Sequence, residues 1–225
     1  AVNRKDQVVS GSEDKTIRVW DSESEKCLQT LTGHVSGVHA VAVNSRDQIV
    51  IGSADFTVKV WHAETGICLR TLAGHTDAVR ALVVTSKDRV VSGSWKEMRV
   101  WDTESGVCLK IVAKAHTEWI FALAVTSMLM VDNSSSSSIS QQVVVSGSSD
   151  GQIKLWDVDE MTISLKTLTG HAEAVSALAV NRKGQVISGS DDATVKVWDA
   201  ERGVCLQTLT DHTGIVYALA VNSKD

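Results

Sequence analysis

No proline occurs among the 225 residues. Every tight turn must therefore be made by Asn, Asp or Gly, whose side chains or lack of one allow turns without it. No apolar run approaches the roughly 18 residues needed to cross a bilayer, and no charged start leads into an apolar stretch at the amino terminus. Membrane spanning and secretion therefore lack support, and the cytoplasm is the expected setting, with the nucleus also open. Positive charge is in deficit, 22 Lys and Arg against 27 Asp and Glu for a net charge of −5. That removes the usual electrostatic basis for holding a phosphate backbone, so nucleic acid is not an expected partner. Cysteine is scarce: Cys27, Cys68, Cys108 and Cys205 stand apart with no Cys-x-x-Cys pair. Neither a metal site nor a disulfide is expected, and free thiols suit a reducing compartment. Gly-Ser pairs occur, but no helix pattern follows them to cradle a phosphate, and no cofactor is expected. Asn133-Ser134-Ser135 fits a glycosylation sequon, which matters only in secretion. Ala1 is not an initiating Met, so an excerpt or a processed form is expected.

What remains is a chain of 43% hydrophobic and 22% charged residues, long enough for one large domain spanning 1–225 with a sizeable core. Its organising feature is repetition. Trp20, Trp61, Trp101, Trp156 and Trp198 recur at intervals of 41, 40, 55 and 42, and His34, His75, His116, His171 and His212 at 41, 41, 55 and 41. The period is about 41. The long interval holds an insertion of 14 residues (55 less 41), read as a polar Ser-rich loop over 128–142. Within a unit the pattern predicts four short strands, for example 38–43, 48–52, 57–61 and 68–71. Alternation such as Thr57-Val58-Lys59-Val60-Trp61 points side chains to opposite faces, and β-branched residues fit a pleated strand. Four-stranded units repeated at this period imply sheets stacked radially around an axis.

Gly33-His34, Gly74-His75 and Gly170-His171, the Trp-Asp dipeptides and the Ser-Gly-Ser-x-Asp turns together resemble the WD-repeat family of β-propellers over the whole chain. The implied fold is all-β, with four-stranded antiparallel blades and five repeats. Ala1-Val2-Asn3-Arg4-Lys5-Asp6 matches Ala220-Val221-Asn222-Ser223-Lys224-Asp225. Residues 215–221 could thus complete the first blade and close a five-bladed ring; the reading favoured here is that the chain is part of a larger, seven-bladed one.

His171, Ser188, Asp192 and Trp198, or His116, Ser146, Asp150 and Trp156, contain the elements of a Ser-His-Asp triad. Repetition argues against catalysis, because an active site needs one copy. In the family this set is a structural network, and it should recur as His212, Ser10, Asp14 and Trp20 across the chain ends. The chain is accordingly expected not to be an enzyme. Two units look incomplete. Ile51 stands where Ser would join His34, Asp55 and Trp61, and around His75, Ser92 and Trp101 the turn Ser94-Trp95-Lys96 has lost its Asp. Those two blades are expected to be the weaker ones.

If sameness is scaffold, function lies in what differs. Removing the five repeated Trp leaves Phe56, Trp95, Trp119, Phe121 and Tyr217. Trp119 and Phe121 follow His116 by three and five residues, Ile215 and Tyr217 follow His212 likewise, and His39 and Arg80 occupy the second offset elsewhere. The resemblance places these positions at the channel-mouth face where partners bind. Trp95, Trp119, Phe121, Tyr217, Ile215, Arg80 and His39 form the expected contact set, since aromatics and Arg dominate binding hot spots. Phe56 and Phe121 could instead fill gaps between blades. The opposite face, with turns such as Asp21-Ser22-Glu23 and Asp102-Thr103-Glu104, should be acidic and solvated. The expected function is a protein-interaction scaffold that binds a peptide or protein surface, within a larger complex. The alternative is a substrate-receptor or targeting segment of a longer enzyme such as a kinase or ubiquitin ligase.

Overall fold

The computed structural model describes residues 1–131 and 138–222. Among them the chain forms nineteen strands and no helix, so no helix is long and apolar enough to cross a membrane. The strands make five antiparallel meanders, one per repeat. Sheet 1 holds β1 (Val8–Gly11), β2 (Ile17–Trp20) and β3 (Cys27–Leu31). Sheet 2 holds β4 (Val38–Val43), β5 (Gln48–Ser53), β6 (Thr57–His62) and β7 (Cys68–Ala73). Sheet 3 holds β8 (Ala81–Val84), β9 (Arg89–Gly93), β10 (Met98–Asp102) and β11 (Cys108–Val112). Sheet 4 holds β12 (Ile120–Val131), β13 (Ser138–Ser148), β14 (Ile153–Asp157) and β15 (Ser164–Leu168), and sheet 5 holds β16 (Val175–Val180), β17 (Val186–Ser190), β18 (Val195–Asp199) and β19 (Val204–Leu209). Each is a blade of the kind from which a propeller is built. The chain divides into two compact units, Ala1–Ile111 and Val112–Asp225.

The alternation read in the sequence is what the strands use. In β6, Val58 and Val60 are fully buried while Lys59 between them is only partly so. Ile17, Val19 and Leu31 of sheet 1 pack on Ile49, Ile51 and Trp61 of sheet 2, and Val58 and Leu72 of sheet 2 pack near Val90 and Trp101 of sheet 3. In the second unit Ile153, Leu155 and Leu168 pack near Val175, Val186 and Trp198. Stacking buries sheet faces that a lone sheet would leave wet.

The turns between first and second strands are made without proline, by an asparagine in repeats 1, 2 and 5 and by Thr85 in repeat 3. Asn3 Oδ1 accepts the N–H groups of Lys5 and Gln7, each at 3.0 Å, and Asn44 and Asn181 repeat the pattern. The left-handed position of these turns is taken by Asp6, Asp47 and Asp88 at φ 57, 60 and 56, and by Gly184 at φ 73.

Two expectations need correction. Residues 215–222 form no strand, and opposite β2 the neighbour of β1 is the start of the chain itself, through Val9 N–H to Ala1 O at 2.8 Å and a Val2–Val8 bridge. Val216 N–H donates to Ser190 O at 3.1 Å, but the described residues after it join no ladder, and an extended segment is a strand only when paired. The insertion is also not a loop over 128–142. Apolar Met128-Leu129-Met130-Val131 continues β12, and Ile139 and Gln142 lie in β13, with Met128 paired to Gln141 and Val131 to Ser138. The remainder of that span, 132–137, lies outside the described residues.

Candidate functional site

Three of the five repeated sets form complete networks. In sheet 4, Trp156 Nε1 donates to Ser146 Oγ at 2.8 Å, Ser146 Oγ meets His116 Nε2 at 2.7 Å, and His116 Nδ1 lies 3.0 Å from Asp150. In sheet 5 the same chain runs through Trp198, Ser188, His171 and Asp192 at 2.8, 2.7 and 2.8 Å. In sheet 3, Trp101 and His75 meet Ser92 Oγ at 2.8 and 2.6 Å, and the carboxylate on His75 Nδ1 is Glu97 at 2.7 Å. The expectation that this blade lacks its acid is therefore corrected. The turn closes one residue early, with Ser94 N–H donating to Glu97 O at 3.0 Å, and the acid now comes from the residue before β10. Its longer side chain also accepts from Arg99 Nε at 2.9 Å.

Burial lowers the affinity of His75 for a proton to about 4, with nearby Glu97 opposing. His34 and His171 are lowered for the same reason, against the pull of Asp55 and Asp192. Burial alone would raise Asp55, but hydrogen bonds from Thr57, His34 and the Val35 N–H outweigh it and hold it at about 2. Asp150 and Asp192 are likewise held well below the ordinary carboxylate range: burial pushes them up, and bonds led by His116 and by Thr194 overcome it. At His171 a neutral imidazole beside the ionised Asp192 fixes the direction of each bond. Nδ1–H donates to the carboxylate, Nε2 accepts the Ser hydroxyl proton, and the Ser oxygen accepts the indole N–H. Ser92, Ser146 and Ser188 are each 0% exposed, so these hydroxyls are bonded on both sides and shut off from solvent. Such an oxygen braces a blade and offers no attack on a substrate.

In three repeats the residue before the His is a Gly that serves the same brace; before His116 it is Ala115. Gly33, Gly74 and Gly170 hold φ of 148, 155 and 153, and a Cβ on Gly33 or Gly170 would come within 3.0 or 3.2 Å of the Trp61 or Trp198 ring. At Gly33 and Gly170 the positive φ and the close indole both favour glycine.

Two sets are incomplete. In sheet 2, His34 Nδ1 meets Asp55 at 2.7 Å, but buried His34 Nε2 and Trp61 Nε1 have no hydrogen-bond partner because Ile51 fills the serine position. The set expected across the chain ends divides between the two units. Ser10 accepts the Trp20 indole at 2.8 Å, Asp14 accepts from Thr16, and His212 is exposed.

The non-repeated residues sit apart from these braces. In the first unit Trp95 is 45% exposed with Lys96 Nζ 4.3 Å above its ring, and Phe56 is 43% exposed, so Phe56 does not fill a gap between blades. Arg80 is half-buried, its N–H donating to Gly93 O at 3.0 Å beside the Trp95 turn, and His39 lies 3.7 Å from Glu13. In the second unit Tyr217 is 76% and Ile215 42% exposed, while Trp119 and Phe121 are half-buried. A feature the sequence did not reveal positions several of them: the inner strands of sheets 2, 4 and 5 open with a β-bulge, and its extra residue is His39, Phe121 or Ser176. On the other face the acidic turns are partly structural, since Asp21, Asp102, Asp157 and Asp199 accept the backbone N–H groups of their own turns. All four cysteines are free thiols. Among the described residues no His, Cys, Asp and Glu cluster could hold a metal.

A family profile described as "WD domain, G-beta repeat" matches residues 3–21, 25–62, 66–102, 106–157 and 163–199. The nuclear distribution protein PAC1 of Mycosarcoma maydis is 60% identical over 35 residues, 16% of this chain and 8% of that protein. F-box/WD repeat-containing protein 7 of Drosophila melanogaster is 53% identical over 32 residues, 14% of this chain and 2% of that protein. Coatomer subunit beta'-1 of Arabidopsis thaliana is 45% identical over 38 residues, 17% of this chain and 4% of that protein. These matches span less than a tenth of each relative's length.

Proposed function

Because the chain belongs to the WD-repeat family, we propose that it is a protein-interaction scaffold whose non-repeated side chains bind a peptide or protein surface. The observation that carries this reading is the recurring bulge at the mouth of the inner strands. A bulge re-aims a side chain without disturbing the ladder behind it, and here its extra residue is the position that varies from repeat to repeat. Trp95, Trp119, Phe121, Ile215 and Tyr217, with Arg80 and His39, supply the aromatic and cationic groups that anchor interfaces. Binding proceeds by withdrawing these rings from water, each well-buried anchor contributing roughly 2 kcal/mol or more. The buried, bonded serines support a non-catalytic reading. Free thiols suit a cytoplasmic or nuclear setting.

The test compares wild type with Trp119→Ala and Tyr217→Ala in quantitative co-purification from cell extract, alongside thermal melts. Loss of the same captured proteins at an unchanged Tm supports the reading; unchanged capture rejects it. The stretch shared with an F-box/WD repeat-containing protein favours a second reading, in which this surface is the receptor part of a longer protein. Sequencing the full transcript separates the two.

A further inference from the structure

In the first unit two ties join neighbouring repeats on the face that carries the turns between first and second strands. Arg4 N–H donates to Asp47 at 3.0 Å, and Ser45 donates to Asp88 from its N–H at 2.9 Å and also from its hydroxyl. Beside them Lys5 pairs with Glu64, and Arg46 with Glu104 at 3.0 Å. Each preceding turn thus receives a carboxylate from the repeat that follows.

In the second unit the receiving group is present and the carboxylate is not. Ser127, one residue before Met128, corresponds to Ser45 at twice the period and is exposed. The position of Asp47 and Asp88 is Gly184, in the same left-handed conformation. A cleft of about 470 Å³ lies between them, lined by Thr126, Ser127, Gln142, Arg182, Lys183 and Glu201 among others. Space for an acid is real, because a Cβ on Gly184 would meet nothing nearer than Ser127 O at 3.5 Å. Thr126 Oγ1 donates to Gly184 O at 3.3 Å and fixes one lip. Arg182 and Lys183 are exposed and form no ion pair among the described residues, unlike Lys5 and Arg46.

The geometry points to this cleft as a docking site for the carboxylate side chain of a partner peptide, which enters where repeats 2 and 3 supply their own Asp. Ser127 Oγ–H donates to it as Ser45 does to Asp88, and Lys183 and Arg182 supply the opposite charge. Glu201 on the wall selects against a dense acidic run, so a single acidic residue among neutral ones fits best. This site is separate from the bulge positions and stands or falls without them.

The probe is N-acetyl-aspartate amide, titrated into the ¹⁵N-labelled full chain, with N-acetyl-asparagine amide as the uncharged control. Saturable shifts are expected at the amides of Ser127, Lys183 and Gly184 with the aspartate compound alone. Gly184→Asp places the repeat's own carboxylate in the cleft and should abolish those shifts while keeping Tm, since Asp occupies this backbone conformation at 47 and 88. Lys183→Gln, at an exposed position, should weaken binding by about tenfold. Absence of saturable shifts, equal response to the asparagine compound, or unchanged binding by Gly184→Asp would each overturn the assignment.

Discussion

Ile51 offers the sharpest test of what the buried networks do. It is 0% exposed and pairs with Lys59 just as Ser188 pairs with Lys196 and Ser146 with Lys154, so a serine there would stand at the register of the complete sets. Two orphan groups wait beside it, a donor on Trp61 and an acceptor on His34. Ile51→Ala and Ile51→Ser remove nearly the same volume and leave similar cavities, so their difference isolates the hydroxyl. Two net hydrogen bonds at roughly 1 kcal/mol each predict Ile51→Ser more stable than Ile51→Ala by about 2 kcal/mol. At this chain length that is about 4–8 °C in Tm. Ile49 is the control, equally buried in the same strand with no orphan groups assigned to it. There the order should reverse by about 1–3 kcal/mol, because the new hydroxyl is buried unpaired. Urea unfolding of the four variants gives both differences. Ile51→Ser equal to or less stable than Ile51→Ala would refute the view that the serine hydroxyl exists to join indole and imidazole.

Acid should weaken the fold in two steps. His75 is held at about 4 in the folded chain against its ordinary 6.5, so as pH falls between these values the unfolded chain takes up a proton that the folded chain refuses. The stability due to this group is complete above about 6.5 and declines by up to about 3 kcal/mol toward pH 4. Asp55, held at about 2 against 3.8, contributes stability that is lost only as pH falls through that lower window. Urea midpoints between pH 7 and 2 check both. Glu97→Gln should destabilise by about 2 kcal/mol, since it removes the charge that His75 and Arg99 share; chemical denaturation at pH 7 reads it. Trp198→Ala, at 1% exposure, should lose about 4 kcal/mol, whereas Tyr217→Ala, at 76%, should stay within about 0.5 kcal/mol of wild type in the same assay.

The strand pattern was readable because alternation is a local property: 38–43 is observed as Val38–Val43, and 68–71 extends only to Ala73. The braces of sheets 4 and 5 were readable because recurrence at a fixed period marks what architecture needs. Glu97 escaped notice because its turn is one residue shorter, which moves the acid along the chain; the 40-residue interval from Trp61 to Trp101 carried that signal. Residues 215–222 carry a strand-like sequence without a strand, since pairing depends on a neighbour that local pattern does not supply. The Ser-rich insertion looked like a loop because its serines dominate the composition, yet the apolar residues from Met128 to Val131 pair across the hairpin. The bulges at His39, Phe121 and Ser176 leave no trace in spacing, because they form without changing the distance from the repeated His to the inner strand.

The division between bracing and binding residues is tested most directly by one pair of variants followed in two assays. Ser188→Ala and Tyr217→Ala are each melted and titrated against a partner obtained by co-purification, with affinities measured well below both melting temperatures. Ser188→Ala should lower Tm and leave Kd unchanged, and Tyr217→Ala should raise Kd at constant Tm. The opposite assignment, with the buried hydroxyl setting affinity and the exposed ring setting Tm, would contradict the account.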